Sequence, residues 1–223
     1  MKESWMDKFV EYLQEVLEDE SRSAGFVDRY DGEWKNRTEL MLGNGQTRKD
    51  GIIYKTLKKL YVRELNLHWD KAKNIKQDIA FERYADCIIY KEFDGQWDDW
   101  WRGEAFNDLV IEVENNITEF IGTFSDLLRI QARKKAGIFY YDNKKDKQSF
   151  LEERKKGLQQ ALSYFADKGF IESEGTEYLF VFLPESLKDV GKTFTSKIFI
   201  LTIRIILDGQ QRIDVDKTVN SAV

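Results

Sequence analysis

The sequence predicts an α/β fold, a mixed central β-sheet flanked by helices, and three observations lead there. Apolar residues recur at helical spacing in the first third of the chain. Two short segments rich in β-branched and aromatic residues straddle a turn-rich loop, which marks an antiparallel hairpin. Beyond them helices alternate with apolar strands, the order that builds parallel pairs through right-handed crossovers. Only one proline, Pro184, and no Gly/Ser-rich stretch occur, so nothing reads as a linker. The expectation is one domain, with residues 1–47 as an N-terminal helical extension and 48–223 as the α/β core.

Trp5, Phe9, Val10, Leu13, Val16 and Leu17 make residues 3–19 an amphipathic helix with an acidic outer face. "DGEWKNRTELMLGNGQT" reads as a loop with room for a short helix, ended by glycines. From Arg48 to about Leu65, the set Ile52, Ile53, Leu57, Leu60, Tyr61 and Leu65 defines a second helix. "YADCIIYKEF" (84–93) and "DLVIEVEN" (108–115) are the hairpin strands around "DGQWDDWWRGEAFN". "NITE" is a capping box in which Asn116 caps and Glu119 reaches back, opening a helix that runs to about Ala132. "AGIFYYD" is a buried strand, 148–168 a helix, "EYLFVFLP" a strand and "SKIFILTIRIILDG" a long terminal strand.

With 223 residues the chain can bury a full-sized core, and 42% hydrophobic against 34% charged residues is a globular composition. No apolar run is long enough to cross a bilayer, and "MKESWMDKFVEYLQ" lacks the pattern of an export signal. These features lead to the expectation of a cytoplasmic protein without a membrane partner. Cys87 is the only cysteine and His68 the only histidine, which excludes an internal disulfide and a Cys- or His-rich metal site. Any chemistry then falls to carboxylates. His68, in "ELNLHWD" beside Trp69, is more readily a packing or surface residue than a catalytic one.

The net charge of −5 argues against a general nucleic-acid glue, but its distribution is uneven. A basic block at 48–76 includes Lys55, Lys58 and Lys59. A second runs from Arg129 through Arg133, Lys134 and Lys135 to Arg154, Lys155 and Lys156. Between them lies an acidic centre that holds Asp86, Asp108, Glu112 and Glu114. Basic flanks around an acidic middle suit a metal site beside a phosphate backbone, although solvated charge blocks are the commoner cause of such a pattern.

"DLVIEVENN" places Glu112 and Glu114 on one strand face beside Val110, with Leu109, Ile111 and Val113 on the other. If the hairpin pairs about a centre near residue 100, Asp86 lies alongside Glu112 and Glu114, so three acids would converge. Carboxylates gathered on one face repel one another and raise each other's pKa unless a cation or water relieves them. Magnesium prefers oxygen ligands, keeps several waters and needs only two or three carboxylates from the protein.

A leading helix, a hairpin with Asp86 in "YADCIIY" and Glu112 and Glu114 in "VIEVENN", then a helix and the strand "AGIFYY", resembles the PD-(D/E)XK nuclease superfamily over roughly residues 48–142. The resemblance implies a restriction endonuclease-like core and hydrolysis of phosphodiester bonds. It also implies a divalent cation, magnesium or manganese, held by Asp86 and Glu112. Glu114 stands where the motif has lysine, and Ala85 where it has proline. Certain restriction endonucleases of the superfamily carry Glu or Gln at the lysine position and stay active, and Lys91 on the partner strand could supply the missing amine. By position, Glu64 is the candidate for a further acid on the leading helix and Gln131 for the glutamine of the following one. Lys55, Lys58, Lys59, Arg133, Lys134 and Lys135 would then receive a nucleic-acid backbone, DNA first. The alternative is a non-catalytic protein-interaction module with the same fold, anchored by Trp97, Trp100 and Trp101. The N-terminal helix is a candidate for homodimerisation.

Overall fold

The computed structural model describes residues 4–62, 67–68, 79–81, 85–90, 107–142, 144–169, 175–187, 201–207 and 213–215. The first helix, α1 (Trp5–Ser21), starts at a capping box: Asp7 N–H donates to the Ser4 hydroxyl, and Ser4 N–H donates back to the Asp7 carboxylate. It buries Met6, Phe9, Val10, Leu13, Val16 and Leu17. Where a loop is expected, the chain forms α2 (Phe26–Tyr30) and α3 (Trp34–Leu42), with Phe26, Tyr30, Leu40, Met41 and Leu42 buried.

The helix expected over 48–65 is divided. A 3₁₀ turn (Gly45–Asp50) leads to Gly51, which is extended, and only then does α4 (Ile52–Tyr61) begin. Gly51 is required at that break because a Cβ there would lie 2.6 Å from the Leu42 carbonyl carbon and 2.7 Å from Gly43 N. α1 and α4 pack together, and their rims are tied by Lys55 to Glu20 at 2.6 Å and Lys59 to Glu15 at 2.7 Å.

The strands are β1 (Leu67–His68), β2 (Ile79–Phe81), β3 (Cys87–Tyr90), β4 (Asn107–Val113), β5 (Ala132–Tyr141), β6 (Glu177–Pro184), β7 (Leu201–Leu207) and β8 (Ile213–Val215). Among the described residues they form one mixed sheet in sequence order. The expected β3–β4 hairpin is antiparallel, and β4, β5 and β6 are parallel neighbours joined by α5 (Phe120–Arg129) and α6 (Lys147–Asp167). The terminal strand β7 returns antiparallel to β6, and β1, β2 and β8 are further short strands the pattern does not announce.

Strand alternation sorts side chains between two cores. Leu109, Ile111, Val113, Ala136, Ile138, Tyr140, Leu179, Val181 and Leu183 face the layer of α1 to α4. Val110, Phe139, Tyr141, Tyr178, Phe180 and Phe182 face α5 and α6, where Phe120, Phe124 and Phe150 complete a cluster of edge-to-face and tilted aromatic pairs. The N-terminal helices share the first of these cores with the sheet. Arg37 is sandwiched between Tyr30 and Tyr140, 5.4 and 4.5 Å from their ring centroids, and donates to the carbonyls of Tyr30 and Glu185. No described helix is long and apolar enough to cross a membrane.

Candidate functional site

Antiparallel register decides which acids meet. Cys87 pairs with Ile111, so the preceding residue, Asp86, stands opposite Glu112. Both belong to the face of Val110 and Ile88, under α5. Their carboxyl groups are hydrogen-bonded to each other. The Asp86 Oδ2 also accepts the Val113 N–H at 2.7 Å, just past the paired part of the hairpin. One carboxylate thus closes the strand end and touches its neighbour.

Two half-buried acids in contact disfavour ionising together unless a cation lies between them. Burial first, then the Asp86 charge and the shared hydrogen bond, push the Glu112 pKa up to about 8. Asp126, on the exposed side of α5, adds a weaker push from across the face and is itself paired with Arg129 at 3.1 Å. Its only signal in the sequence is to be an acid on the helix that must cover β4.

Glu114 does not complete a trio. Its Oε1 accepts the Asn116 N–H at 2.6 Å, and among the described residues no group of three or more His, Cys, Asp or Glu is placed to hold a metal ion. The expected capping box is altered in the same turn. Asn116 Oδ1 accepts from Thr118 N–H and hydroxyl, and it is Glu114 rather than Glu119 that satisfies Asn116 N–H, because the chain enters α5 through a 3₁₀ turn (Ile117–Glu119).

The basic residues named for nucleic acid are dispersed. Lys55 and Lys59 are bound to the acidic rim of α1, and Glu15 raises the Lys59 pKa. Lys58 and Arg133 are exposed. Lys134 is paired with Asp108 at 3.1 Å, and Asp108 also accepts the Tyr61 hydroxyl at 2.6 Å. Lys135 does not lie on the surface at all: it is fully buried, its Nζ 3.2 Å from the Tyr178 hydroxyl and 5.1 Å from the ring centroid. The reason is a boundary. α5 stops at Arg129 and β5 starts at Ala132, so residues 133–135 alternate across the sheet instead of extending the helix.

Gln131 is exposed and uses its carbonyl to accept the Asn107 side-chain amide. Cys87 is buried on the opposite face, and burial pushes its thiol well above the usual range. Glu64, Lys91, Trp97, Trp100 and Trp101 lie outside the described residues, as does the side chain of His68. The chain matches no family model, no curated protein and no solved structure among those it was compared with.

Proposed function

We propose that this chain is a nuclease-like protein that binds a divalent cation, magnesium or manganese, between Asp86 and Glu112 and acts on phosphodiester bonds of nucleic acid. The observation that carries the reading is the contact of the two carboxyl groups across β3 and β4. A half-buried carboxyl pair is held together by one shared proton, and a cation is the other species that can take the proton's place. The donor set fits: two carboxylates are what magnesium asks of a protein when water and substrate supply the rest of its octahedron. A cation held there would acidify a bound water and offset charge developing on a scissile phosphate.

The chain's own residues have separate tasks in this reading. Asp86 is held by the Val113 N–H, which anchors its carboxyl beside that of Glu112. Glu112 gives up its proton when the cation enters. Glu114, engaged by Asn116 N–H, orders the turn that leads to α5 and stands beside the pair as an outer acid. The order of α4, hairpin, α5 and β5 supports the PD-(D/E)XK comparison, in which residues 48–223 would be the restriction endonuclease-like core.

Calorimetric titration with magnesium and manganese tests the site directly. Wild type is expected to bind and to release about one proton near pH 7, and Asp86→Asn and Glu112→Gln to bind at least about tenfold more weakly. Wild type that takes up neither metal, with or without an oligonucleotide, sinks the reading. Loss of plasmid and single-stranded DNA cleavage in Glu112→Gln then separates an enzyme from a metal-binding relic.

A second reading has its own observation: Glu114 stands at the lysine position, with its carboxylate spent on a backbone N–H. A non-catalytic protein-interaction module accounts for that, the Asp86–Glu112 pair then being a protonated clasp of the hairpin. Retention of the shared proton at saturating magnesium is its signature.

A further inference from the structure

Arg154 is a half-buried cation that the carboxyl pair does not use. It lies in α6, its guanidinium carbon 5.4 Å from the Phe120 ring centroid and 5.1 Å from that of Phe150. Its Nε is shut away from solvent with no hydrogen-bond partner. Among the described residues no carboxylate is paired with it, whereas its neighbour Lys155 is paired with Glu152 at 3.3 Å. The rings hold the guanidinium by its faces but offer no acceptor. The planar fork is thus held by its faces, and its two terminal nitrogens have no hydrogen-bonded acceptor among the described residues; two such nitrogens can receive two oxygens of one anion.

Topology says where that edge lies. β4 and β5 are parallel, so their carboxyl ends share one edge of the sheet. α5 starts beyond the first, with Phe120, and α6 beyond the second, with Phe150 in its opening turn. Arg154 bridges the two starts. Glu112 stands at the end of β4 with Glu114 just beyond it, and Asp86 stands opposite Glu112, so the carboxyl pair lies toward the same edge. In open α/β sheets this is the edge at which ligands bind.

We propose that Arg154 is the receptor for a phosphate oxyanion at the carboxyl edge of β4 and β5. Resting on the nuclease-like reading, the oxyanion is a backbone phosphate of the nucleic acid whose ester lies toward Asp86 and Glu112. Arg154 is a binding and positioning residue.

The test is run in EDTA, so that it does not depend on the metal. Wild type, Arg154→Met, which keeps the length and the ring contacts, and Arg154→Lys, which keeps the charge, are titrated with a fluorescent single-stranded oligodeoxynucleotide and with inorganic phosphate. Thermal melts accompany each variant, and Arg154→Lys stands in should Arg154→Met fold poorly. Wild type is expected to bind the oligonucleotide, with phosphate competing, and Arg154→Met to bind at least about tenfold more weakly, with Arg154→Lys between them. Phosphate binding that depends on Arg154, without oligonucleotide binding, upholds the receptor and overturns the nucleic-acid source. Equal binding by wild type and Arg154→Met, or no binding of either probe by wild type, overturns the proposal. Magnesium uptake by Arg154→Met is expected to match wild type, so failure of the metal site and failure of the anion site are told apart.

Discussion

Asp86 touches two groups at once: its Oδ2 accepts the Val113 N–H at 2.7 Å, and its carboxyl is bonded to that of Glu112 across the hairpin. The two contacts have different chemistry. The first gives the Asp86 carboxyl a fixed backbone donor, while the second stabilises a protonated Glu112 beside it. A single residue therefore fixes the end of β4 and the charge state of its neighbour.

The pH dependence of stability follows from Glu112. Its folded pKa, about 8, lies above the ordinary 4.5, so between those values the folded chain holds a proton that the unfolded chain has released. The stabilisation is complete below about pH 4.5 and is lost as pH rises toward 8, on the order of a few kcal/mol over the window. Urea denaturation of the metal-free protein across pH 5 to 9 should show this decline, and Glu112→Gln should remove it. A decline of the same size in Glu112→Gln would place its origin elsewhere.

Removing the acceptor at Asp86 leaves the Val113 N–H without its partner. Asp86→Ala should cost about 1–3 kcal/mol, whereas Asp86→Asn keeps an acceptor oxygen and should cost less. Chemical denaturation of the two variants at one pH, pH 5, gives the comparison.

Arg37 is the counterpart on the other face of the sheet. It stacks on Tyr30 and Tyr140 and donates to two carbonyls, so Arg37→Ala should destabilise by roughly 2–4 kcal/mol. Lysine lacks the planar fork and should recover little of the loss. Full recovery by Arg37→Lys in a thermal melt would show that charge alone is at work there.

Cys87 is buried and its thiol is pushed up, so a thiol reagent at pH 8 should leave the folded protein unlabelled and modify it once denatured. Labelling at the rate of a free thiol under native conditions would mean that β3 opens readily.

The hairpin and its acids are legible because alternation and antiparallel register are local rules: "DLVIEVE" alone assigns Glu112 to the face of Val110, and the register adds Asp86. The parallel strands are legible from element order for the same reason. What the pattern hides is set by tertiary contact. Gly51 divides the helix expected over 48–65 because the Leu42–Gly43 backbone presses on it, a neighbour that periodicity does not reveal. Residues 133–135 have the composition of a helix end, yet β4 draws them into β5 and Lys135 goes inside. The basic block on the second helix is partly neutralised, since the charges of Lys55 and Lys59 find the acids of α1.

The bond from the Tyr30 hydroxyl to the Pro184 carbonyl joins positions 154 residues apart. During synthesis the apolar sides of α1, α2 and α3 emerge long before the strands they cover, and that cover is complete only once β6 has left the ribosome. Contacts of such sequence separation place the final closure of the molecule at a late step of folding.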